Sequence, residues 1–417
     1  MKNLVRFALA AALLVLSAGF SWEIGVRAAG GPAEPGSQDY RVLAPIESGN
    51  LLLFPVVKSN GKTPGASPFL TLDEGIKSGE VEVTEAGRAR GLVRPRGPAP
   101  TNGAIFHDDR YRGEPVPDED GFRADQVNTL VLVNHSSKPL LLLAGEIVTG
   151  GKQDRVIAKD RIVPAGADPI DLGVFCIEPG RWTASSSTFG VAAKASSHSF
   201  MVQPTVRERA MVGKDQQQVW NSVSGAISQM EVAAAPPATG LSGGGPVARS
   251  GYPRSFGTTS YAKAMEDSSV SAKVDEEAAP VMKARDAVLA QLREEHAVGV
   301  VVAVHGEIVW ADLFADTDLL SRYWTKLVRS YAAESLTSGE THTTPTVVDA
   351  QHFLDAPTGG TETSEGNVGV YRYLELRSDG AETFVLQSLL PATGYDVHIS
   401  KMKLKVPVHH NKPQIYR

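Results

Sequence analysis

The residues best suited to chemistry are gathered in one short run, AGEIVTGGKQDR, from Ala144 to Arg155. Adjacent glycines, Gly150 and Gly151, free the backbone to turn its N–H groups toward a ligand, and Lys152 and Arg155 supply charge to neutralise an anion such as phosphate. Gln153 lies between them and belongs to the same ligand-binding set. Glu146 and Asp154 could act as general acid and base, or offer oxygen ligands to a hard cation. The same residues also fit a tight turn between two strands whose charges pair with one another.

A second group follows in EPGRW, Glu178 to Trp182, where Arg181 could clamp an anion and Trp182 could stack on a ring or cap a core. Cys176, the only cysteine, sits inside the apolar run Val174 to Ile177 and reads as an inert small hydrophobe rather than a nucleophile. The ten histidines form no HExxH or similar ligand pattern, so no metal centre is expected. Neither serine cluster, Ser185 to Thr188 or Ser196 to Ser199, lies in a GxSxG elbow, and no dinucleotide or P-loop glycine pattern follows a strand. No cofactor is indicated.

The elements that must position these residues are mostly strands. Asn50 to Val57 reads as a buried strand and Glu80 to Glu85 as an alternating one; Leu70 to Gly79 reads as a short helix with Thr71 as N-cap and Gly79 as its stop. Thr129 to Asn134 and Pro139 to Ala144 are two apolar strands that His135 to Lys138 could join as a hairpin. Further strands fall around Arg155 to Ile157 and Ile170 to Ile177. Residues 88 to 125 read as a long surface loop. Val206 to Glu231 has the spacing of one or two amphipathic helices broken near Gly213. A hairpin is expected at His305-Gly306, a core helix over Leu319 to Tyr331, and a helix with three more strands after Val347. The fold class expected is α+β, a β-rich antiparallel, sandwich-like core with amphipathic helices, interrupted by a long flexible linker.

With 417 residues and 42% hydrophobic content the chain can bury a sizeable core. A net charge of −6 without a long basic run argues against nucleic-acid binding and leaves an anionic small molecule or a protein as the expected partner. The start of the chain, a lysine and an arginine around Met1 to Arg6 followed by the apolar Phe7 to Phe20, has the form of a signal peptide. Export to the periplasm or medium, with cleavage after Ala28, is therefore expected, leaving no membrane attachment. The expected organisation is a signal peptide over 1–28, a β-rich part over 40–232, a disordered low-complexity linker over 233–280, a helix-hairpin-helix part over 281–336 that completes the domain, and a β-rich extension over 337–417.

Several of these segments together resemble a known family. LTLDEGIKSGEVEVTE (Leu70 to Glu85), VNTLVLVNHSSKPLLLLAGEIVTGGKQDRVIAKDRIVP (Val127 to Pro164), FCIEPGRW (Phe175 to Trp182), AVGVVVAVHGEIVWADLFAD (Ala297 to Asp316) and KLVRSYAAE (Lys326 to Glu334) are similar to the ARG and rhodanese-phosphatase-superfamily-associated protein domain. The resemblance spans most of residues 40 to 336 and leaves the region after Val347 outside. Association of that family with ADP-ribosylglycohydrolase and rhodanese-type phosphatase modules implies a part in ADP-ribose, NAD or phosphoester metabolism. Two functions are expected: a binding or scaffolding module for a protein or anionic small ligand, or a hydrolase acting on a phosphate- or ADP-ribose-containing compound.

Overall fold

The computed structural model describes residues 40–58, 67–85, 129–180, 186, 188–191, 200–235, 256–283, 285–336, 343–358, 360–378, 380–391 and 393–404. The signal segment, the loop over 88–125, Arg181, Trp182 and residues 236–255 of the expected linker lie outside them. Where local chemistry is strong, the expected elements are present. Helix α1 (Leu72–Ser78) opens on a reciprocal capping box between Thr71 and Glu74 and ends at Gly79, whose φ of 77° suits a residue without Cβ.

The main sheet has nine strands. Its central pair is β13 (Ala297–Val304) and β14 (Glu307–Phe314), joined by the two-residue turn His305-Gly306 with φ of 50° and 77°. β13 reads AVGVVVAV and is buried along its whole length, as a strand covered on both faces must be. On one side it pairs with β3 (Leu51–Lys58), which carries β1 (Tyr40–Val42) and β2 (Ile46–Ser48). On the other side follow β18 (Asp396–Lys403), β17 (Ala381–Ser388), β16 (Tyr371–Ser378) and the edge strand β15 (Thr361–Asn367). Strands from both ends of the chain thus share one sheet. β15, reading TETSEGN, has no apolar alternation and is not anticipated from the sequence.

The opposite edge of this sheet is closed by a side chain. Helix α8 (Val347–Asp355) presents Gln351, whose Oε1 accepts from Val42 N at 2.8 Å while its Nε2 donates to Tyr40 O at 3.2 Å. The carboxamide thereby occupies the hydrogen-bonding groups that a neighbouring strand would take.

Two smaller sheets hold the chemistry-bearing stretch. One orders β10 (Arg161–Val163), β7 (Leu140–Leu142) and β4 (Leu70–Thr71); the other orders β12 (Phe189–Val191), β8 (Ile147–Gly150), β9 (Arg155–Ile157), β11 (Ile170–Cys176), β6 (Thr129–Asn134) and β5 (Val81–Glu85). The expected hairpin of 129–134 with 139–144 does not form, since β6 pairs with β5 and β11, whereas β7 pairs with β10 and β4. Asn134 explains the corner: its Nδ2 donates to the carbonyls of Lys138, Val163 and Pro164, and its Oδ1 accepts from Ser136 N and Oγ. Those bonds fold the chain away from its own strand and onto the next sheet.

On the main sheet's inner face lie helices. α2 (Pro204–Glu208) runs into a π-helical turn, Arg209–Gly213, which Lys214 ends at φ 51°; Asp215 then caps α3 (Gln216–Ala233) through Gln218 N at 2.8 Å. This is the break expected near Gly213. Within the expected linker, by contrast, the described part is ordered structure: α4 (Tyr261–Glu266) and α5 (Ser268–Lys283) bury Tyr261, Met265, Val270, Val274 and Ala278. Serine and alanine made this stretch look low in complexity, yet small residues let α5 approach α7 (Thr317–Ser335) closely, and its few apolar residues recur at helical spacing. Helix α6 (Arg285–Glu294) then leads into β13. The fold is α+β, rich in antiparallel strands. Among the described residues no helix is long and apolar enough to cross a membrane.

Candidate functional site

β8 and β9 pair as a hairpin, Val148 against Arg155, so the GGKQDR run is the turn between two strands. Gly150 and Gly151 have φ of 133° and 51°, and a Cβ on Gly151 would lie 2.3 Å from the Phe189 ring and 2.5 Å from Glu85 Oε1, so only glycine fits. Its inward N–H groups are taken up by protein acceptors. Gly150 N donates to Asp154 Oδ1 at 3.1 Å, Gly151 N to Ser186 Oγ at 3.2 Å and Lys152 N to Glu85 Oε1 at 2.8 Å. The anion cradle expected from the glycines is therefore occupied by carboxylates and a hydroxyl of the chain itself.

Other elements converge on the same turn. Asp154 Oδ2 accepts from Ser260 Oγ at 2.7 Å, and its N donates to Glu178 Oε2 at 3.2 Å. Lys263, on α4, reaches Glu178 at 3.3 Å with its side chain 56% exposed. Arg155 is fully buried; its Nη1 donates to Asp154 O at 3.4 Å and its Nη2 lies 4.0 Å from Glu85. Cys176 stands directly across the ladder from Arg155, and Gln216 brackets its peptide with two 2.9 Å bonds. Burial pushes the Cys176 thiol above its ordinary value, against the pull of Arg155, which leaves it a poor nucleophile.

Gln153 differs from its neighbours. It is fully buried, and neither Oε1 nor Nε2 has a hydrogen-bond partner. A carboxamide held in that way forfeits about 1–3 kcal/mol for each unpaired group, so its retention calls for a reason.

Glu146 is not part of this cluster. It is buried completely, with Oε1 accepting from Lys326 Nζ at 2.6 Å and Oε2 from Leu143 N at 2.8 Å, and Lys326 also reaches Asp73 at 2.8 Å. Burial raises the Glu146 carboxyl above its ordinary value, although Lys326 opposes the shift. Glu146 and Asp154 thus stand in separate networks rather than as an acid and base pair.

The turn from Leu143 to Glu146 connects Lys326 to a third, central network. Ala144 N donates to Asp160 Oδ1 at 2.7 Å, and Gly145, at φ 92°, leaves room for Arg207, whose Cδ would lie 2.9 Å from a Cβ there. Asp160 Oδ2 holds His398 Nδ1 at 2.6 Å. His398 Nε2 lies 3.2 Å from Asp312 Oδ1, close enough for an ion pair but not aligned for a good hydrogen bond. Arg207 Nη1 and the Tyr331 hydroxyl both donate to Asp312 Oδ2, the former at 2.9 Å, and the guanidinium lies 4.6 Å over Trp310. All of these groups are buried. Burial alone would lower the His398 pKa, but Asp160, with Asp312 beside it, lifts it to about 9. Burial would raise Asp312, but Arg207 and His398 hold it well below the usual carboxylate range.

A pH dependence follows. The folded pKa of His398 lies above its unfolded value, so its contribution is fully present below about pH 6.5 and disappears as pH rises through about 9. Urea unfolding at pH 6 and pH 10 should show a loss on the order of 3 kcal/mol in the wild type that His398→Phe, which keeps a ring beside Phe314, lacks. Equal losses in both proteins would refute a charged histidine here.

Of the residues singled out in the sequence, the structure brings together Gly150, Gly151, Lys152, Gln153, Asp154 and Arg155, and places Glu146 apart. Arg181 and Trp182 are outside the described residues. Glu85, Ser260 and Lys263 complete the turn cluster but come from distant segments, and Asp160, Arg207, Asp312, Tyr331 and His398 form a network the sequence reading overlooked. A signal existed for Asp312: it interrupts the apolar strand IVWADLF at a position sharing a face with Trp310 and Phe314. Among the described residues no group of three or more His, Cys, Asp or Glu is arranged to hold a metal ion.

Compared with known families, the chain matches the ARPP-1 family over residues 39–402. The match runs past residue 336, where the sequence resemblance ends, and takes in β15 to β17 and nearly all of β18. No curated protein and no solved structure matches the chain.

Proposed function

The chain belongs to the ARG and Rhodanese-Phosphatase-superfamily-associated Protein domain family, and from that premise we propose that it is an exported binding module that takes a small anionic ligand at the Gly150–Arg155 turn. The observation that carries this reading is Gln153, a buried carboxamide with both ends unpaired in the middle of a turn built from constrained glycines. Binding sites retain such groups at a cost in stability because the ligand supplies the partner. Around it Arg155 is fully buried, 4.0 Å from Glu85, so charge for an anion falls to Lys263, which Glu178 holds at 3.3 Å and whose side chain is 56% exposed.

The hydrolytic alternative needs an acid and a base within reach of one reacting bond. Glu146 salt-bridged to Lys326 and Asp154 bonded to Ser260 do not offer that pair. Binding is the better reading.

A thermal-shift panel with AMP, ADP-ribose and inorganic phosphate tests it. A ligand at 100 times its Kd should stabilise the fold by about 2.7 kcal/mol. Gln153→Leu should abolish the ligand response yet melt higher than the wild type without ligand, since it removes two unpaired polar atoms. No response to any compound would defeat the reading. Arg155→Ala is unsuited as a control because truncating a fully buried side chain would open a cavity in the core of the hairpin. Export predicts that the recovered protein begins after Ala28, which mass spectrometry of the secreted chain would check.

A further inference from the structure

We infer that the ligand of this turn presents a hydrogen-bond donor and an acceptor side by side, as a primary amide or the N6/N7 edge of adenine does. The inference rests on the reading of the turn as a ligand site. Its basis is the chemistry of the Gln153 terminus: the amide nitrogen carries two donors, the oxygen accepts, and both atoms are buried and unpaired. Exchange of N and O in the side-chain assignment changes nothing, because the two ends are equally unsatisfied.

Simple ions leave one end unpaired. A halide or a sulfate only accepts, so it would pair Nε2 and strand Oε1. An ammonium or metal ion would do the reverse. A planar edge with adjacent donor and acceptor satisfies both ends at once, which is how glutamine and asparagine side chains read adenine. The nearby charges agree with a ligand that combines such an edge with a phosphate. Glu85, Asp154 and Glu178 accept from the chain's own N–H and hydroxyl groups, so the carboxylates are occupied, while Lys263, paired with Glu178, keeps more than half its side chain exposed.

Two sources share the chemistry, a purine with an exocyclic amine and a carboxamide such as that of nicotinamide mononucleotide. Binding of AMP, IMP, nicotinamide mononucleotide and ribose 5-phosphate to the full chain, followed by calorimetry, separates them. IMP is the decisive comparison, since it replaces the N6 donor of AMP with an oxygen acceptor and keeps the phosphate and sugar. The expected result is that AMP or nicotinamide mononucleotide binds at least 10-fold more tightly than IMP and ribose 5-phosphate, and that Gln153→Leu removes the preference. AMP alone showing it identifies the purine; nicotinamide mononucleotide alone identifies the carboxamide. Binding of all four with equal affinity would overturn the inference while leaving an anion site at the turn. Binding of none would overturn both. Because the AMP and IMP comparison uses the wild-type chain, it stands even where the variant fails to fold.

Discussion

Asp312→Ala is expected to cost the fold about 3–5 kcal/mol, a large part of the roughly 5–15 kcal/mol that holds a typical protein together. Asp312 is the common partner of Arg207, His398 and Tyr331, and every one of them is sealed from water. Its removal leaves a buried guanidinium without its hydrogen-bonded carboxylate, and Arg207 Nε and Nη2 already lack partners. An imidazolium would remain beside Asp160 alone. All of these groups are shielded from bulk water, so solvent compensates little of the loss. Guanidinium unfolding of purified Asp312→Ala, beside Asp312→Asn, gives the number. The asparagine keeps acceptor geometry without charge and should retain part of the stability. A loss below about 1 kcal/mol in the alanine variant would mean that the four charges are not paired as described.

Lys326→Met carries the second large effect, with a different dependence on pH. The lysine holds Glu146 and Asp73 together, at 2.6 and 2.8 Å, from the inner face of α7. Methionine fills much of the stem but leaves the fully buried Glu146 carboxylate without its cation, again at a cost of about 3–5 kcal/mol. The carboxyl has an escape through protonation, since burial already raises its pKa even with the lysine present. The deficit should therefore be greatest near pH 8 and shrink as the pH falls toward 5, and Lys326→Met/Glu146→Gln should recover part of it at pH 8. Denaturation of the single and double variants at both values checks this. A deficit that does not change with pH would place the loss in packing rather than in charge.

These two networks show where reading the chain succeeds and where it stops. Thr71, Glu74 and Gly79 fix α1 because a capping box and a left-handed stop act within one helix. His305-Gly306 fixes the β13–β14 turn for the same local reason, and the π-helical turn ending at Lys214 appears in the sequence as a break in period. Partner choice is another matter. β6 and β7 are neighbours in sequence with an apparent loop between them, but Asn134 sends them to different sheets through carbonyls at Val163 and Pro164, which no nearby residue announces. The helices over 261–283 were obscured by composition, although Val270, Val274 and Ala278 keep a helical stripe. At the candidate site, the backbone flexibility of GGKQDR was legible, but its charge balance was not, since Glu85, Ser260 and Lys263 arrive from elsewhere in the chain. The sequence emphasised Lys152 and Arg155; the unsatisfied group is the uncharged residue between them.

The carboxamide of Gln351 that closes the edge of the main sheet lies 309 residues from Val42, the strand residue it covers. A ribosome adding about 5–20 residues per second needs on the order of tens of seconds to supply it. For most of that interval β3 has only the short strands β1 and β2 to pair with, along one edge, and the other edge of its long apolar stretch LLLFPVV lacks β13. The main sheet can close only after nearly the whole chain has been made, so the nascent protein passes through a prolonged stage in which a self-adhesive strand must be kept from its neighbours. For this chain, yield in the cell should depend on chaperone capacity and translation speed as much as on the stability of the finished fold.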